Sequence, residues 1–167
     1  MFLPAVSCRV IFLRWQRFGG GDFWGNDRGA TWTLTEDGVL TITGEGPMPD
    51  YRDGGTSETP PWYPHVNRIS SLTIGEGVTR IGDYAFMLCS FVTEVVIPES
   101  VTSMGDWAFY GYLDMAVVTC LAVIPPELGK DNFGFPAKIL YVPAGSVEVY
   151  RKNAVWREAF ETIAALP

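Results

Sequence analysis

One stretch of the sequence, present in two consecutive copies, decides the fold. The first copy reads Ile69-Ser-Ser-Leu72-Thr-Ile74-Gly-Glu-Gly-Val78-Thr-Arg-Ile81-Gly82-Asp-Tyr84-Ala85-Phe86. The second reads Val92-Thr-Glu-Val95-Val-Ile97-Pro-Glu-Ser-Val101-Thr-Ser-Met104-Gly105-Asp-Trp107-Ala108-Phe109. Eight positions match at a constant offset of 23 residues, which is the separation of Leu72 from Val95. A fixed period of this length indicates a repeat protein whose units stack on one another.

The spacing inside each copy predicts its local structure. Leu72 and Ile74 alternate with Ser71 and Thr73, which predicts a short strand with one apolar face. The glycine and the Ala-Phe86 pair that follow supply a turn and one large buried ring. A single unit cannot cover its own apolar face, so stacked copies bury a continuous core. The strands are therefore expected to lie parallel, about 4.8 Å apart.

Weaker copies continue the repeat. Val118 and Cys120 follow Val95 and Ile97 at the same offset. Phe133 follows Phe109 at an offset one residue longer. A fourth strand is predicted at Leu140-Tyr141-Val142-Pro143.

Both ends of the repeats carry different patterns. Period-2 alternation in Trp32-Thr-Leu34 and Val39-Leu-Thr-Ile-Thr, around Glu-Asp-Gly, predicts a β-hairpin. At the other end, Ser146 can N-cap a helix that starts at Val147. The i, i+4, i+7 spacing of Trp156, Phe160 and Ile163 predicts one apolar helical face.

These patterns divide the chain into four parts. Residues 1–28 are expected to be poorly ordered and resemble either a degenerate export signal or an upstream start. Residues 29–67 form the hairpin and a loop, residues 68–136 the repeats of about 23 residues, and residues 137–167 the final strand and a helical cap.

Charge and hydropathy exclude two classes of partner. The 167 residues contain 12 Lys and Arg against 19 Asp and Glu, which gives a net charge of −7. Nucleic acid is excluded as a partner because binding along its phosphates needs excess positive charge. No apolar run approaches the roughly 18 residues that span a bilayer, so no membrane insertion is predicted.

Cysteine and histidine offer little for catalysis. Cys8, Cys89 and Cys120 are odd in number and lack CxxC spacing, so neither a disulfide scaffold nor a thiolate metal site is indicated. The last two are interpreted as small buried side chains. His65 is the only histidine, and its turn-like surroundings favour a surface loop over catalysis. We predict no catalytic residues, no metal site and no cofactor.

Carboxylates and aromatic side chains leave alternatives open. The acids that could pair as in glycosidases lie in predicted turns or corners, where solvated side chains are the better interpretation: Glu36, Asp37, Asp50, Asp53 and Glu99. The aromatic candidates for a sugar-binding stripe are Tyr84, Trp107, Tyr110 and Tyr112. Stacking between successive turns of the chain is the simpler explanation for them.

Together these residues resemble the BspA-like leucine-rich-repeat family. The resemblance is carried by Gly-Val78-Thr-x-Ile81-Gly82-x-x-Ala85-Phe86-x-x-Cys89 and Ile97-Pro98-x-Ser-Val101-Thr-x-x-Gly105-x-x-Ala108-Phe109-x-Gly111. With segments similar to the family's N-terminal cap and closing repeat, it covers about residues 29–163. It implies an α/β or mainly β fold: a short solenoid with parallel strands on one face, an N-terminal β-hairpin cap and a C-terminal helical cap.

The resemblance also implies a function. Members are bacterial proteins, commonly surface-attached or secreted, and the family carries no catalytic residues to transfer. The expectation is a non-enzymatic module for adhesion or protein binding, extracellular or at the cell surface, with a host or matrix protein as partner. Residues 1–28 show no clear signal peptide. A carbohydrate-binding surface that recognises a glycan is the alternative, and the protein is expected to be a monomer.

The predicted binding site is the outward face of the strands. Its first column contains Ser71, Glu94, Val117 and Ile139, and its second contains Thr73, Val96, Thr119 and Tyr141. The columns change from hydroxyl to apolar side chains, which suggests either a partner contact or cover by the C-terminal helical segment. Four such strands present a few hundred Å², whereas a standard interface uses about 800 Å² per partner. We therefore predict weak, multivalent recognition with loops contributing.

Overall fold

A computed structural model of the protein describes residues 31–52, 59–112, 115–133 and 137–167, and the backbone of residues 11–13. The described strands are β1 (Ile11–Leu13), β2 (Thr31–Leu34), β3 (Val39–Thr43), β4 (Gly46–Pro47), β5 (Ser71–Ile74), β6 (Val78–Ile81), β7 (Glu94–Ile97), β8 (Ser103–Met104), β9 (Val117–Cys120), β10 (Glu127–Leu128), β11 (Ala137–Val142) and β12 (Phe160–Ala165). The helices are α1 (Val147–Lys152) and α2 (Ala154–Ala159), with 3₁₀ turns at Tyr63–Arg68 and Ala144–Ser146.

The repeated strands form one mostly parallel sheet, the first sheet. Its order is β1-β2-β3-β5-β7-β9-β11-β12, and every neighbouring pair from β3 onward is parallel. Leu72 pairs with Val95, Val95 with Val118, and Val118 with Leu140. The predicted register is confirmed, and Leu72 and Val95 lie next to each other in neighbouring strands.

The alternation along these strands separates core from surface as predicted. The eight side chains predicted to point inward are at most 6% exposed: Leu72, Ile74, Val95, Ile97, Val118, Cys120, Leu140 and Val142. They belong to one hydrophobic cluster that runs through all the described repeats.

A second parallel sheet, which the sequence analysis treated as turns, lies across the core. Its order is β10-β8-β6-β4. Arg80 pairs with Ser103, and Ile81 with Met104. Val78 and Ile81 are both buried although they are three residues apart, so this sheet lacks the alternation that identifies a strand.

A column of aromatic rings runs through the core, and we call it the aromatic column. Trp62 stacks on Phe86 at 5.6 Å between ring centroids, Phe86 on Phe109 at 5.4 Å, and Phe109 on Phe133 at 5.4 Å. Phe160 continues it at 5.0 Å from Phe133, with its ring tilted. The extra residue in the repeat that ends at Phe133 thus leaves the stacking intact, because one ring still arrives per turn of chain.

The predicted hairpin is confirmed. Strands β2 and β3 are antiparallel, with Leu34 opposite Leu40. Gly38 in the turn has a φ of +89°, and a Cβ there would overlap the Arg68 carbonyl oxygen. Beyond β2 lies β1, so residues 11–13 form an antiparallel edge strand within the segment predicted to pack poorly. The rest of that segment lies outside the described residues.

The C-terminal segment differs from its prediction. Helix α1 starts at Val147 as predicted, but the Ser146 hydroxyl forms no capping hydrogen bond. Asn153 instead caps α2, because its Oδ1 accepts hydrogen bonds from the backbone N–H groups of Val155 (3.1 Å) and Trp156 (3.2 Å).

The predicted helical face of Trp156, Phe160 and Ile163 is wrong. Helix α2 ends at Ala159, and β12 then pairs in parallel with β11, with Ile163 opposite Leu140. All three side chains are nevertheless buried. The backbone N–H and C=O groups of this last segment pair with a strand distant in sequence, which a helix could not do.

Candidate functional site

The outer face of the first sheet brings the eight predicted site residues together. Glu94 pairs with Val117, and Thr119 lies between Val96 and Tyr141. Four of the eight are exposed: Ser71, Thr73, Glu94 and Val96. The other four are half-buried: Val117, Thr119, Ile139 and Tyr141. Both predicted columns therefore exist as rows of neighbours, while their role in binding stays a prediction.

The C-terminal helices pack elsewhere. Tyr150 donates its hydroxyl to the carbonyl oxygen of Ala122 at 2.8 Å, and Trp156 donates its ring N–H to the carbonyl oxygen of Pro126 at 2.8 Å. The two helices thus fold onto the segment that follows β9. Val96 keeps 48% of its surface exposed, so the outer face is open at that side chain.

The outer face also extends over the hairpin, which the sequence analysis did not include. Thr41 lies opposite Thr33 and beside Thr73, and the Oγ1 atoms of Thr31 and Thr43 are 2.8 Å apart. The signal was the alternation of Thr31 and Thr33 on β2, and of Thr41 and Thr43 on β3, with apolar residues. From β2 to β12, seven strands about 4.8 Å apart span about 29 Å, which gives an outer face of about 400 Å². This is still below the area of a standard interface.

A second exposed surface lies at the corners that join the two sheets. The chain that follows the corner after β7 lies on β6, because the N–H of Thr102 donates to the carbonyl oxygen of Thr79 at 2.9 Å. Strand β10, which follows the corner after β9, lies next to that chain in turn, because the N–H of Glu127 donates to the carbonyl oxygen of Thr102 at 3.0 Å. We call the outermost side chains of the corners after β5, β7 and β9 the corner strip: Glu76, Glu99, Val123 and Ile124.

The corner strip changes character along the stack. Glu76 and Glu99 are exposed carboxylates. Val123 is 55% exposed. Ile124 is 78% exposed, and no other large hydrophobic side chain in the described residues is as exposed. The prediction that Glu99 lies at a solvated corner is confirmed, whereas no sequence pattern had indicated that Ile124 is exposed.

On the far side, the second sheet carries a ladder of aspartates. Asp50 Oδ1 accepts hydrogen bonds from Arg80 Nη2 (2.8 Å) and from the backbone N–H of Asp83 (3.0 Å). Asp83 Oδ1 accepts from the N–H of Asp106 (3.0 Å), and Asp106 Oδ1 from the N–H of Lys130 (2.8 Å). Each carboxylate thus binds the next turn of chain, a structural use of charge.

The electrostatics of this ladder follow from the same contacts. Partial burial raises the pKa of Asp50, but the hydrogen bonds from Asp83 and Arg80 and the guanidinium charge outweigh it, and the net pKa is lowered. Partial burial and the neighbouring Asp50 carboxylate raise the pKa of Asp83. An open groove of about 340 Å³ lies beside the ladder, lined in part by Ser103 and Glu127. Within the described residues, no group of three His, Cys, Asp or Glu side chains could hold a metal ion.

Neither described cysteine has the low pKa and the exposure that a nucleophilic thiol requires. Cys89 and Cys120 are free and buried, as interpreted from the sequence, and Cys8 lies outside the described residues. Burial raises the pKa of Cys89 to about 12, so its thiol is protonated at neutral pH. Burial also raises the pKa of Cys120, whose sulfur is 3.2 Å from the hydroxyl of Tyr150. His65 lies half-buried in the first 3₁₀ turn.

The aromatic candidates stack between repeats. Tyr84 and Trp107 lie 5.2 Å apart with an angle of 23° between ring planes, and both are half-buried. Tyr112 is only 5% exposed, whereas Tyr110 is 38% exposed. Stacking between successive turns is thus confirmed for the first pair, and Tyr112 does not contribute to a surface stripe.

Comparisons with known proteins give a family match and a similar solved structure. Residues 63–124 match the family model described as "BspA type Leucine rich repeat region (6 copies)". A solved leucine-rich repeat protein from Eubacterium ventriosum is 25% identical, with a TM-score of 0.47. The match covers 83% of this chain and 38% of that protein's chain. No curated protein matches.

Membrane-spanning helices are absent from the parts of the chain that the structure describes. The match over residues 63–124 covers the region in which the strands pair in a constant register and form two parallel sheets. Residues 63–124 are therefore similar to the BspA-type leucine-rich-repeat family.

Proposed function

We propose that the protein is a non-enzymatic protein-binding and adhesion module of a bacterial surface or secreted protein. The chain forms a short solenoid, capped by the hairpin and by the C-terminal helices with β12. Leucine-rich repeats generally mediate protein interactions and are not generally catalytic. The proposed partner is a host or matrix protein, bound by a monomer in the extracellular space.

The observation that carries this proposal is the open outer face of the first sheet. Its side chains are held in rigid rows by strand pairing, and stability of the core does not require them to be apolar. Val96 is nevertheless 48% exposed, and Tyr141 lies two strands away in the same row. Exposed apolar side chains on a rigid face are typical of interaction sites. The small area of the outer face favours weak binding, which becomes stronger when several copies of the module bind the same partner surface together.

The test is capture of the protein by a panel of immobilised matrix proteins. Val96→Asp and Tyr141→Asp are expected to weaken capture at least tenfold while the thermal unfolding temperature stays within a few degrees of wild type. Val155→Asp is the matched control, because Val155 is 52% exposed on α2. If both face variants bind as tightly as wild type, the outer face is not the site.

A carbohydrate-binding surface is the second candidate, and one observation favours it. The stacked rings of Tyr84 and Trp107 are half-buried, and each directly follows in the chain an aspartate that lines the polar groove. Aromatic rings with nearby polar groups are typical of small-ligand sites. A glycan array run in parallel with the protein panel separates the two functions. Binding to glycans alone, lost in Trp107→Ala and kept in Val96→Asp, would replace the first proposal with the second.

A further inference from the structure

The first sheet ends at β12, and one edge of this strand is free. Among the described residues, β12 pairs with β11 alone. The N–H of Leu166 donates to the carbonyl oxygen of Val142 at 2.9 Å, so this residue turns its backbone towards β11. Alternate residues of a strand point their N–H and C=O groups to opposite sides. The backbone groups of Glu161, Ile163 and Ala165 therefore point away from β11, along the edge that no described strand covers.

A side chain from α1 occupies the middle of this edge. The guanidinium of Arg151 donates from Nη2 to the carbonyl oxygen of Ile163 at 2.8 Å. Its Nη1 donates to Oε1 of Glu148 at 3.1 Å, one turn earlier on the same helix. Ile163 lies between Glu161 and Ala165, so Arg151 takes the central acceptor of the three. The arginine therefore fills the place at which the N–H of another strand would bind.

The three outward residues form a pattern that can pair with itself. In an antiparallel pair, opposite residues exchange both hydrogen bonds, and such pairs recur at every second residue. If a second copy lay antiparallel with Ile163 opposite Ile163, Glu161 would lie opposite Ala165 on either side. Every N–H of the three residues would then meet a C=O of the second copy. A twofold contact of this kind is the commonest way in which identical chains associate.

We propose that Arg151 keeps the protein monomeric by closing the free edge of β12, and that a second copy pairs there when this contact is lost. The guanidinium blocks the central hydrogen bond of the antiparallel pair. The same arrangement brings the arginines of the two copies towards each other, and like charges on adjacent strands are destabilising. Cationic side chains protect exposed sheet edges from edge-to-edge pairing in many proteins. The inference concerns self-association, which is separate from the binding of a partner by the outer face.

The test compares wild type with Arg151→Met by analytical ultracentrifugation. Methionine retains an apolar stem but has no donor and no charge, and the fold should be kept because the side chain of Arg151 is 53% exposed. We expect a monomer for wild type and a dimer for Arg151→Met, with a dissociation constant at least tenfold lower. Arg151→Leu is made in parallel, and either variant with the unfolding temperature of wild type suffices. Lys152→Met is the matched control, because Lys152 is exposed on the same helix, and it should stay monomeric.

A second substitution locates the contact between the copies. Ala165→Pro removes an N–H that points to the free edge, and it leaves the hydrogen bonds between β12 and β11 in place. The double variant Arg151→Met/Ala165→Pro is therefore expected to be a monomer again. Amide hydrogen exchange followed by NMR tests the edge in wild type. The N–H groups of Ile163 and Ala165 should exchange faster than those of Thr162 and Ala164, which point towards β11.

Each other outcome overturns the inference. A dimeric wild type, or Arg151→Met and Arg151→Leu proteins that fold and stay monomeric, would show that the arginine does not control association. Association that Ala165→Pro does not reverse, or equal association of Lys152→Met, would place the contact elsewhere. Oligomers that grow beyond a dimer would indicate that β12 pairs with β1, the other edge strand of the first sheet, in the next copy. Slow exchange of the Ile163 and Ala165 amides in monomeric wild type would show that another segment already covers the edge.

Discussion

The aromatic column is the feature on which the stacking of the repeats depends, and Phe109→Ala tests it. Phe109 is fully buried and stacks on Phe86 and on Phe133 at 5.4 Å each, with the edge of Tyr112 at 5.9 Å. Removal of a buried phenylalanine ring costs about 3–5 kcal/mol, and each aromatic contact adds about 0.5–1.5 kcal/mol beyond burial. Because three ring contacts are lost, we expect the loss to be no smaller than the middle of that range, about 4 kcal/mol.

The surroundings of Phe109 prevent the cavity from closing. Its backbone N–H donates to the carbonyl oxygen of Asn132 at 3.0 Å, and that of Phe86 donates to the carbonyl oxygen of Ala108 at 2.9 Å. These bonds hold the turns of chain above and below at a fixed spacing, so the neighbouring rings cannot move together to fill the space. The cost therefore includes the cavity and not only the transfer of the ring to water.

Urea unfolding followed by tryptophan fluorescence measures this loss. With a dependence of about 2 kcal/mol per molar urea, a loss of about 4 kcal/mol lowers the midpoint by about 2 M. Phe91→Ala removes the same atoms from a side chain that is 60% exposed, and it should cost less than about 1 kcal/mol. A loss below about 2 kcal/mol for Phe109→Ala, or equal losses for the two variants, would refute the role of the aromatic column.

Two further predictions concern the helical segment and the aspartate ladder. Asn153→Ala removes the cap of α2 and should lower the free energy of unfolding by about 1 kcal/mol. Asn153→Asp should retain most of the stability that the cap provides, because a carboxylate oxygen can accept the same hydrogen bonds. Equal losses for the two variants in thermal or urea unfolding would contradict the role of the cap. The pKa of Asp50 is lowered below 3.8 in the folded protein, so its stabilisation is present above that pH and is lost as the pH falls through the folded value. The Arg80 guanidinium lowers the pKa of Asp50 and of Asp83. Arg80→Gln should therefore move the midpoint of acid unfolding, measured by circular dichroism, to higher pH. An unchanged midpoint would contradict this prediction.

The register of the first sheet could be predicted because one constant offset fixes it. That offset places Leu72 beside Val95 and Val95 beside Val118, and alternation then decides which side chains enter the core. The second sheet could not be predicted in this way. Strands such as Ser103–Met104 contain two residues, which is too short for any periodicity, and their pairing follows from the stacking that the first sheet imposes.

The C-terminal strand could not be predicted because local and distant preferences compete there. The segment ends in Ala164-Ala165, and alanine is the strongest helix former. Spacing of i, i+3 between Phe160 and Ile163 also suits a helix. The exposed edge of β11 offers a row of backbone hydrogen bonds that a helix would leave unpaired, and pairing with that edge prevails.

The binding surface is harder to predict than the core because the two obey different constraints. At one inward position the successive turns carry Leu72, Val95, Val118 and Leu140, all aliphatic, because each must fill the same space above its neighbour. One residue earlier, the outward position carries Ser71, Glu94, Val117 and Ile139, which share neither size nor charge. The backbone at the two positions is equally regular, so the fold does not require this variation. Because packing in the core does not constrain the outward column, arguments from stacking predict the side chains of the inward column alone.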